Sequence, residues 1–172
     1  MNYAGAGFIL FSTDMRVLLV QDAKTHKWGF PKGHREQVDE SDLATAQREL
    51  LEETGIPDSA YAIVQTPFRI TRGSSSYIFR YATMKQGAYM GSVQDRKEIR
   101  TMRWIPLYDL LQAEEFATGG NKYLRTWIED VRSATNKKFV QVLNEHLVAK
   151  CLSVLFHSVN GPNSTTNPIL SI

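Results

Sequence analysis

One stretch of this chain gathers side chains able to do chemistry together: Arg48-Glu49-Leu50-Leu51-Glu52-Glu53-Thr54-Gly55-Ile56. On a helix each residue advances about 100°. With Glu49 at zero, Glu53 falls at about +40° and Glu52 at about −60°, so the carboxylates share an arc of roughly 100°. Leu43, Ala46, Leu50 and Leu51 fall outside that arc. Like charges one turn apart destabilise an exposed helix by about 0.2–0.5 kcal/mol a pair. Arg48, one turn before Glu52, offsets part of that. A hard cation would offset more, because Mg²⁺ binds a few carboxylates together with waters and substrate phosphates. The competing reading is a solvated acidic face laced with ion pairs. Against it stands the ordered pattern, which average residue usage would generate in a chain this long with a probability on the order of 10⁻⁵.

The segment resembles the second half of the Nudix box, Gly-x5-Glu-x7-Arg-Glu-U-x-Glu-Glu-x-Gly-U, where U is bulky and apolar. Gly33 resembles the first glycine and Glu40 the first glutamate, with the family's seven residues between Glu40 and Arg48. The six residues His34 to Asp39 separate Gly33 from Glu40, one more than the pattern has. This reads as a one-residue insertion in the loop ahead of the helix. The resemblance implies that Glu49, Glu52 and Glu53 hold metal, with the Gly33 carbonyl as a further ligand. It implies that Arg48 orients Glu49 through a charge-assisted hydrogen bond and that Glu40 braces the helix start. The implied cofactor is Mg²⁺, with Mn²⁺ as a substitute, and the implied reaction is attack of water on phosphorus with a phosphate leaving group.

Outside the box, Glu98 precedes a strand, and its segment resembles that of mRNA-decapping members, in which such a glutamate is the proposed general base; Asp95 is the reserve. Trp28-Gly29-Phe30-Pro31-Lys32-Gly33-His34 resembles runs in dinucleoside-polyphosphate hydrolases, RNA 5′-pyrophosphohydrolases and decapping enzymes. Lys32 offers a point charge to a distal phosphate, His34 a second contact, while Trp28 and Phe30 suit core packing. Tyr77, Phe79 and Tyr81 share one sheet face by alternation, where they either fill the core or stack a base. Arg69, Arg72, Arg80 and Lys85 either line a polyphosphate groove or solubilise the surface. Lys137-Lys138-Phe139 resembles the basic segment with which decapping enzymes grip RNA.

Something must position these groups. Phe8–Phe11 and Arg16–Val20 flank Ser12-Thr13-Asp14-Met15 and read as a hairpin. Lys24–His34, with its glycines and proline, reads as a structured loop, neither strand nor helix. Ser41–Thr54 reads as a helix capped by Asp39 or Ser41, with Asp42 in its first turn and Gly55 as its stop. Tyr61–Ile70, Tyr77–Met84 and Ile99–Ile105 read as strands, and Pro106 opens a short helix through Leu111. Two further helices carry Tyr123, Leu124, Trp127, Ile128 and Val131, then Val140, Leu143, Leu147, Cys151 and Val154. The predicted fold class is α/β, a Nudix-type α/β/α sandwich with a mixed central sheet. The domain is expected over residues 1–156, with the box at about 33–56, and residues 157–172 read as a flexible C-terminal tail.

The chain of 172 residues, 42% hydrophobic and 22% charged, is long enough for one domain with a real core. No run approaches the roughly 20 apolar residues of a membrane helix, and no signal peptide is read, so no membrane partner is expected. One cysteine, Cys151, forms no internal disulfide and fits the cytoplasm. The net charge of +2 suits an anionic substrate without marking a DNA-binding protein, and no DNA partner is expected. The function implied is a Mg²⁺-dependent pyrophosphohydrolase acting on a small-molecule polyphosphate or an RNA 5′ end. The Pro-Lys-Gly loop favours a dinucleoside polyphosphate or a capped or triphosphorylated RNA. Two alternatives stay open: a diphosphoinositol polyphosphate phosphohydrolase, and, from another class, a catalytically silent Nudix-fold module that binds RNA or a nucleotide.

Overall fold

In the computed structural model, residues 3–133 are described, apart from the side chains of residues 65, 66 and 72. The organising element is strand β1 (Gly5–Phe11), buried at every position. A strand covered on both faces carries a continuous run of small and apolar residues, as Gly-Ala-Gly-Phe-Ile-Leu-Phe does. β1 runs parallel to β6 (Ser75–Met84) over its whole length and antiparallel to β2 (Arg16–Asp22) at the hairpin end. β6 pairs antiparallel with β5 (Tyr61–Arg72), and β2 with β7 (Ile99–Pro106). One parallel pairing among antiparallel ones makes this the mixed sheet that the sequence predicts.

Alternation along β1 divides the core in two. Phe8 and Leu10 face helix α1 (Asp42–Thr54) and pack with Ala46, Leu50 and Ile56. Ile9 and Phe11 face the other way, toward α2 (Leu107–Gln112), α3 (Glu114–Gly119) and α4 (Lys122–Ser133). On that side Phe30 meets Trp127 edge to face at 5.4 Å, and Trp127 Nε1 donates to the Tyr81 hydroxyl at 3.0 Å. Helices on both faces complete the α/β/α sandwich.

The Lys24–His34 segment corrects the loop expectation. It contains β3 (Trp28–Gly29), paired with β2, and β4 (Lys32–His34), paired with β1 through Gly5↔His34, Ala6↔Gly33 and Gly7↔Lys32. Pairing to distant strands, not local propensity, makes these short pieces extended. Helix α3 is likewise an addition, six residues long and too short to show a period. Trp28 and Phe30 are core residues, as read. Among the described residues no helix is long and apolar enough to cross a membrane. The helix through Val140–Val154, Lys137-Lys138-Phe139, Cys151 and the tail lie outside the described residues.

Candidate active site

Helix α1 is fixed at both ends by its own sequence. The Ser41 hydroxyl accepts from the Ala44 N–H at 3.1 Å, so Ser41 is the N-cap. Gly55 takes the left-handed conformation at φ 69°, and its N–H closes onto the Leu51 carbonyl at 2.8 Å. Leu50 and Ala46 press on the sheet, which rotates the acidic arc into a seam instead of into solvent. Glu49 is 8% exposed and Glu53 6%, while Glu52 stays exposed. Leu51, placed on the apolar side by the wheel, is 51% exposed and packs no core.

Arg48 sits at the centre of the charge arrangement. Its Nη1 donates to Glu49 Oε1 at 2.8 Å and to Glu52 Oε2 at 3.2 Å. Its Nη2 donates to the His34 carbonyl at 2.9 Å and to Asp39 Oδ2 at 2.9 Å, and its Nε donates to Asp39 Oδ1 at 3.2 Å. Asp39 is 4% exposed and also accepts from the Glu36 N–H at 2.8 Å and the Thr45 hydroxyl at 2.9 Å. Arg48 beside it holds its carboxyl well below the usual carboxylate range. The brace expected of Glu40 is therefore made by Asp39, and Glu40 is exposed. The reason is the loop path: Asp39 turns inward beneath Arg48, and the next side chain turns out.

Glu53 is the most unusual group in the site. Burial drives its pKa up to about 8, with the neighbouring Glu49 charge adding to the effect and Lys32 opposing it. Its Oε2 is buried without a hydrogen-bond partner. A buried acceptor with no partner costs about 1–3 kcal/mol, more when charged. Glu49 is also raised, first by burial. Gly33 explains how β4 comes so close: a Cβ there would stand 2.0 Å from the Glu49 carboxylate carbon, so any other residue must displace that carboxylate.

These residues line a cavity of about 410 Å³ with Asp22, Lys24, Lys32, His34 and Glu98 around its mouth. Glu98 arrives on a loop stitched to the end of α1. The Ser92 N–H donates to the Thr54 carbonyl at 2.9 Å and the Gln94 N–H to the Glu53 carbonyl at 3.0 Å. Those two carbonyls would otherwise end the helix unsatisfied. Trp104 Nε1 holds the same loop from β7 by donating to the Met90 carbonyl at 2.9 Å. Both Glu49 and Glu53 feel the Glu98 charge. Asp95 does not line the cavity; its Oδ1 accepts from the Lys97 N–H at 2.8 Å and turns the loop toward Glu98.

A family model described as the NUDIX domain matches residues 1–127. The chain belongs to the Nudix family. It is accordingly a hydrolase acting on phosphoanhydride bonds. Solved Nudix structures share the fold at low identity. A C. elegans Ap4A hydrolase in a binary complex is 23% identical with a TM-score of 0.56, over 75% of this chain and 98% of that one. The NUDIX domain of Shewanella oneidensis NrtR, solved with ADP ribose, is 21% identical with a TM-score of 0.54, over 79% of this chain and 90% of that one. A MutT NUDIX hydrolase from Burkholderia pseudomallei is 19% identical with a TM-score of 0.55, over 76% of this chain and 99% of that one.

Nudix hydrolases generally use divalent metals, and the residues here fit one. The donors are all hard oxygens, and the orphaned Glu53 Oε2 lacks a partner that a cation would supply. Among the described residues no three acidic, histidine or cysteine side chains yet converge as a cage. Two of the glutamates are turned to Arg48 instead, as mutual repulsion favours. Of the other residues read from sequence, Lys32 and His34 reach the cavity. Tyr77 does not line the cavity: its ring is 5.9 Å from that of His34 and 5.7 Å from Lys32 Nζ, but it is buried in the core with Phe79 and Tyr81, as alternation along β6 places it. Arg80 does not reach the cavity: it sits on the α1 face, where its Nε donates to Asp42 Oδ2 at 2.6 Å. Lys85 binds the Ser59 carbonyl at 2.8 Å, on the turn beside the 3-10 segment Asp58–Ala60. The Arg72 side chain lies outside the described residues. Asp22 and Lys24 line the cavity without having been anticipated; a turn following a strand gives a lone Asp or Lys no distinguishing pattern.

Proposed function

We propose that this Nudix hydrolase is a Mg²⁺-dependent pyrophosphohydrolase of nucleoside-polyphosphate-type substrates, with a dinucleoside polyphosphate or a capped or triphosphorylated RNA 5′ end as the favoured class. One observation carries the reading: Glu53, whose buried Oε2 has no hydrogen-bond partner, lines the same cavity as Glu49, Glu52, Glu98, Lys32 and Lys24. An acidic wall facing a basic one suits a phosphate held between cation and lysine. The neighbours described for Ap4A and for ADP ribose support a nucleotide substrate.

Glu49, Glu52 and Glu53 would hold the metal, with the Gly33 backbone alongside. When bound, Mg²⁺ neutralises charge on the phosphate oxygens and lowers the pKa of a bound water. Arg48, anchored by Asp39, keeps Glu49 turned into the cavity. Lys32 and Lys24 attract and orient the phosphates as point charges. Glu98 takes the proton of the attacking water as its oxygen bonds to phosphorus and the bridging P–O bond breaks, leaving with its electrons on the departing phosphate. Purified protein with Mg²⁺ or Mn²⁺ is to be tested on diadenosine tetraphosphate, capped RNA, 5′-triphosphate RNA and a diphosphoinositol phosphate, with products identified. Turnover of the first three is the expected result. Exclusive turnover of the inositol substrate, or none of the panel, would overturn the reading.

A further inference from the structure

Beside the acidic cavity lies a second, of about 320 Å³. The two share Asp22, Lys32, Glu53 and Ile99, so they are lobes of one depression. The second lobe is lined by three exposed cations that the first lacks, Lys27 from the turn after β2 and Lys122 and Arg125 from α4. Among the described residues none of these three forms a salt bridge. Lys122 Nζ stands 4.8 Å from the centre of the Tyr123 ring, and Lys32 Nζ stands 5.7 Å from the same ring. One ring thus lies within cation–π reach of two ammonium groups, and an anion between such cations is attracted to each.

The remaining lining residues narrow the class of ligand. The lobe's acids are Asp22 and Glu53, both on the boundary with the reaction cavity. Asp22 Oδ1 already accepts from the Lys24 and Thr25 N–H groups and the Thr25 hydroxyl. Asn121 Oδ1 is spent in capping α4, accepting from the Tyr123 and Leu124 N–H groups at 3.0 and 2.9 Å. Phe30 and Tyr123 are 1% and 9% exposed, so little ring surface is left on which a base could stack. The charges that this lobe adds to those of the reaction cavity are all positive: Lys27, Lys122 and Arg125.

We propose that this second lobe is a subsite for phosphates on the arm of the substrate that lies beyond the bond being cut. It builds on the pyrophosphohydrolase reading above and adds the chemistry of the far end: several clustered phosphates, not a neutral sugar or a flat base. A polyphosphate chain and the ring phosphates of an inositol share that chemistry.

The test separates the lobe from the reaction. Inorganic tripolyphosphate is titrated calorimetrically into the full chain in EDTA. Lys122→Ala/Arg125→Ala is expected to weaken binding at least about tenfold, and Lys27→Ala, from the other side of the lobe, to weaken it as a single change. Unaltered affinity in these variants, with folding verified by circular dichroism, overturns the proposal. Glu53→Gln is expected to slow turnover at least about tenfold yet bind tripolyphosphate at least as tightly as wild type. Binding that depends on Lys122 and Arg125 in a chain that hydrolyses nothing would fault the enzyme reading alone. Displacement of tripolyphosphate by diadenosine tetraphosphate or by inositol hexakisphosphate supports the subsite and identifies which source fills it; displacement by neither overturns it.

Discussion

Asp39 grips Arg48 with both carboxylate oxygens, 3.2 Å from Nε and 2.9 Å from Nη2, and so fixes the guanidinium that holds Glu49. Asp39→Ala leaves Arg48, Thr45 and the Glu36 N–H without their acceptor. A destabilisation of about 2–4 kcal/mol is expected by urea denaturation, together with lower kcat. Glu40→Ala, one position on, is expected to change stability by no more than about 0.5 kcal/mol. The pH dependence has a definite sign. Arg48 lowers the folded-state pKa of Asp39, so its contribution is intact above the ordinary value of 3.8 and fades as the solution is acidified further.

Glu53 works in the opposite direction. Its folded-state pKa lies at about 8 against an ordinary 4.5, so without metal the folded chain holds that proton more tightly than the unfolded chain does. Its contribution to stability is present below pH 4.5 and is lost as pH rises toward about 8. Thermal melts in EDTA are expected to show this loss in wild type and not in Glu53→Gln. Mg²⁺ should then raise Tm more at pH 8 than at pH 5, with protons released on binding at neutral pH. Calorimetry in buffers of different ionisation enthalpy measures that release. Glu49→Gln and Glu53→Gln are each expected to slow turnover at least about tenfold, with folding retained.

Gly33→Ala places a Cβ where the Glu49 carboxylate now sits. Glu49 must swing aside and give up its 2.8 Å bond to Arg48. The expectation is a cost of about 1–3 kcal/mol in stability with a disproportionate loss of kcat, read from melts and steady-state kinetics side by side. A fully active Gly33→Ala enzyme would mean that Glu49 need not hold its present position.

Glu98→Gln keeps size and hydrogen bonding but cannot take a proton. A fall in kcat of about a hundredfold is expected, with KM and Tm near wild type. Asp95→Asn should stay near wild type, since an amide oxygen can still accept from the Lys97 N–H. If the two variants changed places, Asp95 would be the base.

The parts of the site that were readable in advance are those that local chemistry determines. Ser41 and Gly55 punctuate α1 through groups within a turn of themselves, and Glu49, Glu52 and Glu53 follow from the helical period. Whether that arc faces water depends on β4 lying over it, and β4 is extended because Gly5–Gly7 pairs with it from far along the chain. Counting back seven intervening residues from Arg48 pointed to Glu40, while the five-residue spacing from Gly33 falls on Asp39; the loop path decides between them by turning Asp39 inward. Arg80 shows the same limit. Alternation set it opposite Tyr77, Phe79 and Tyr81 correctly, but its partner Asp42 comes from another element altogether.

The loop that ends at Glu98 also acts as a measured length. Its anchors at Met90, Ser92 and Gln94 are tied to Trp104 and to the last turn of α1, and the Glu98 carbonyl accepts from the Ala23 N–H at 2.8 Å, so the span from Gln94 to Glu98 is held at both ends. One residue inserted there adds about 3.3–3.6 Å of chain between two fixed points, so it must either bulge the loop or break one of the ties that hold Glu98. The turn at residues 85–89 lies ahead of all these anchors, so length added there leaves the span that carries Glu98 unchanged.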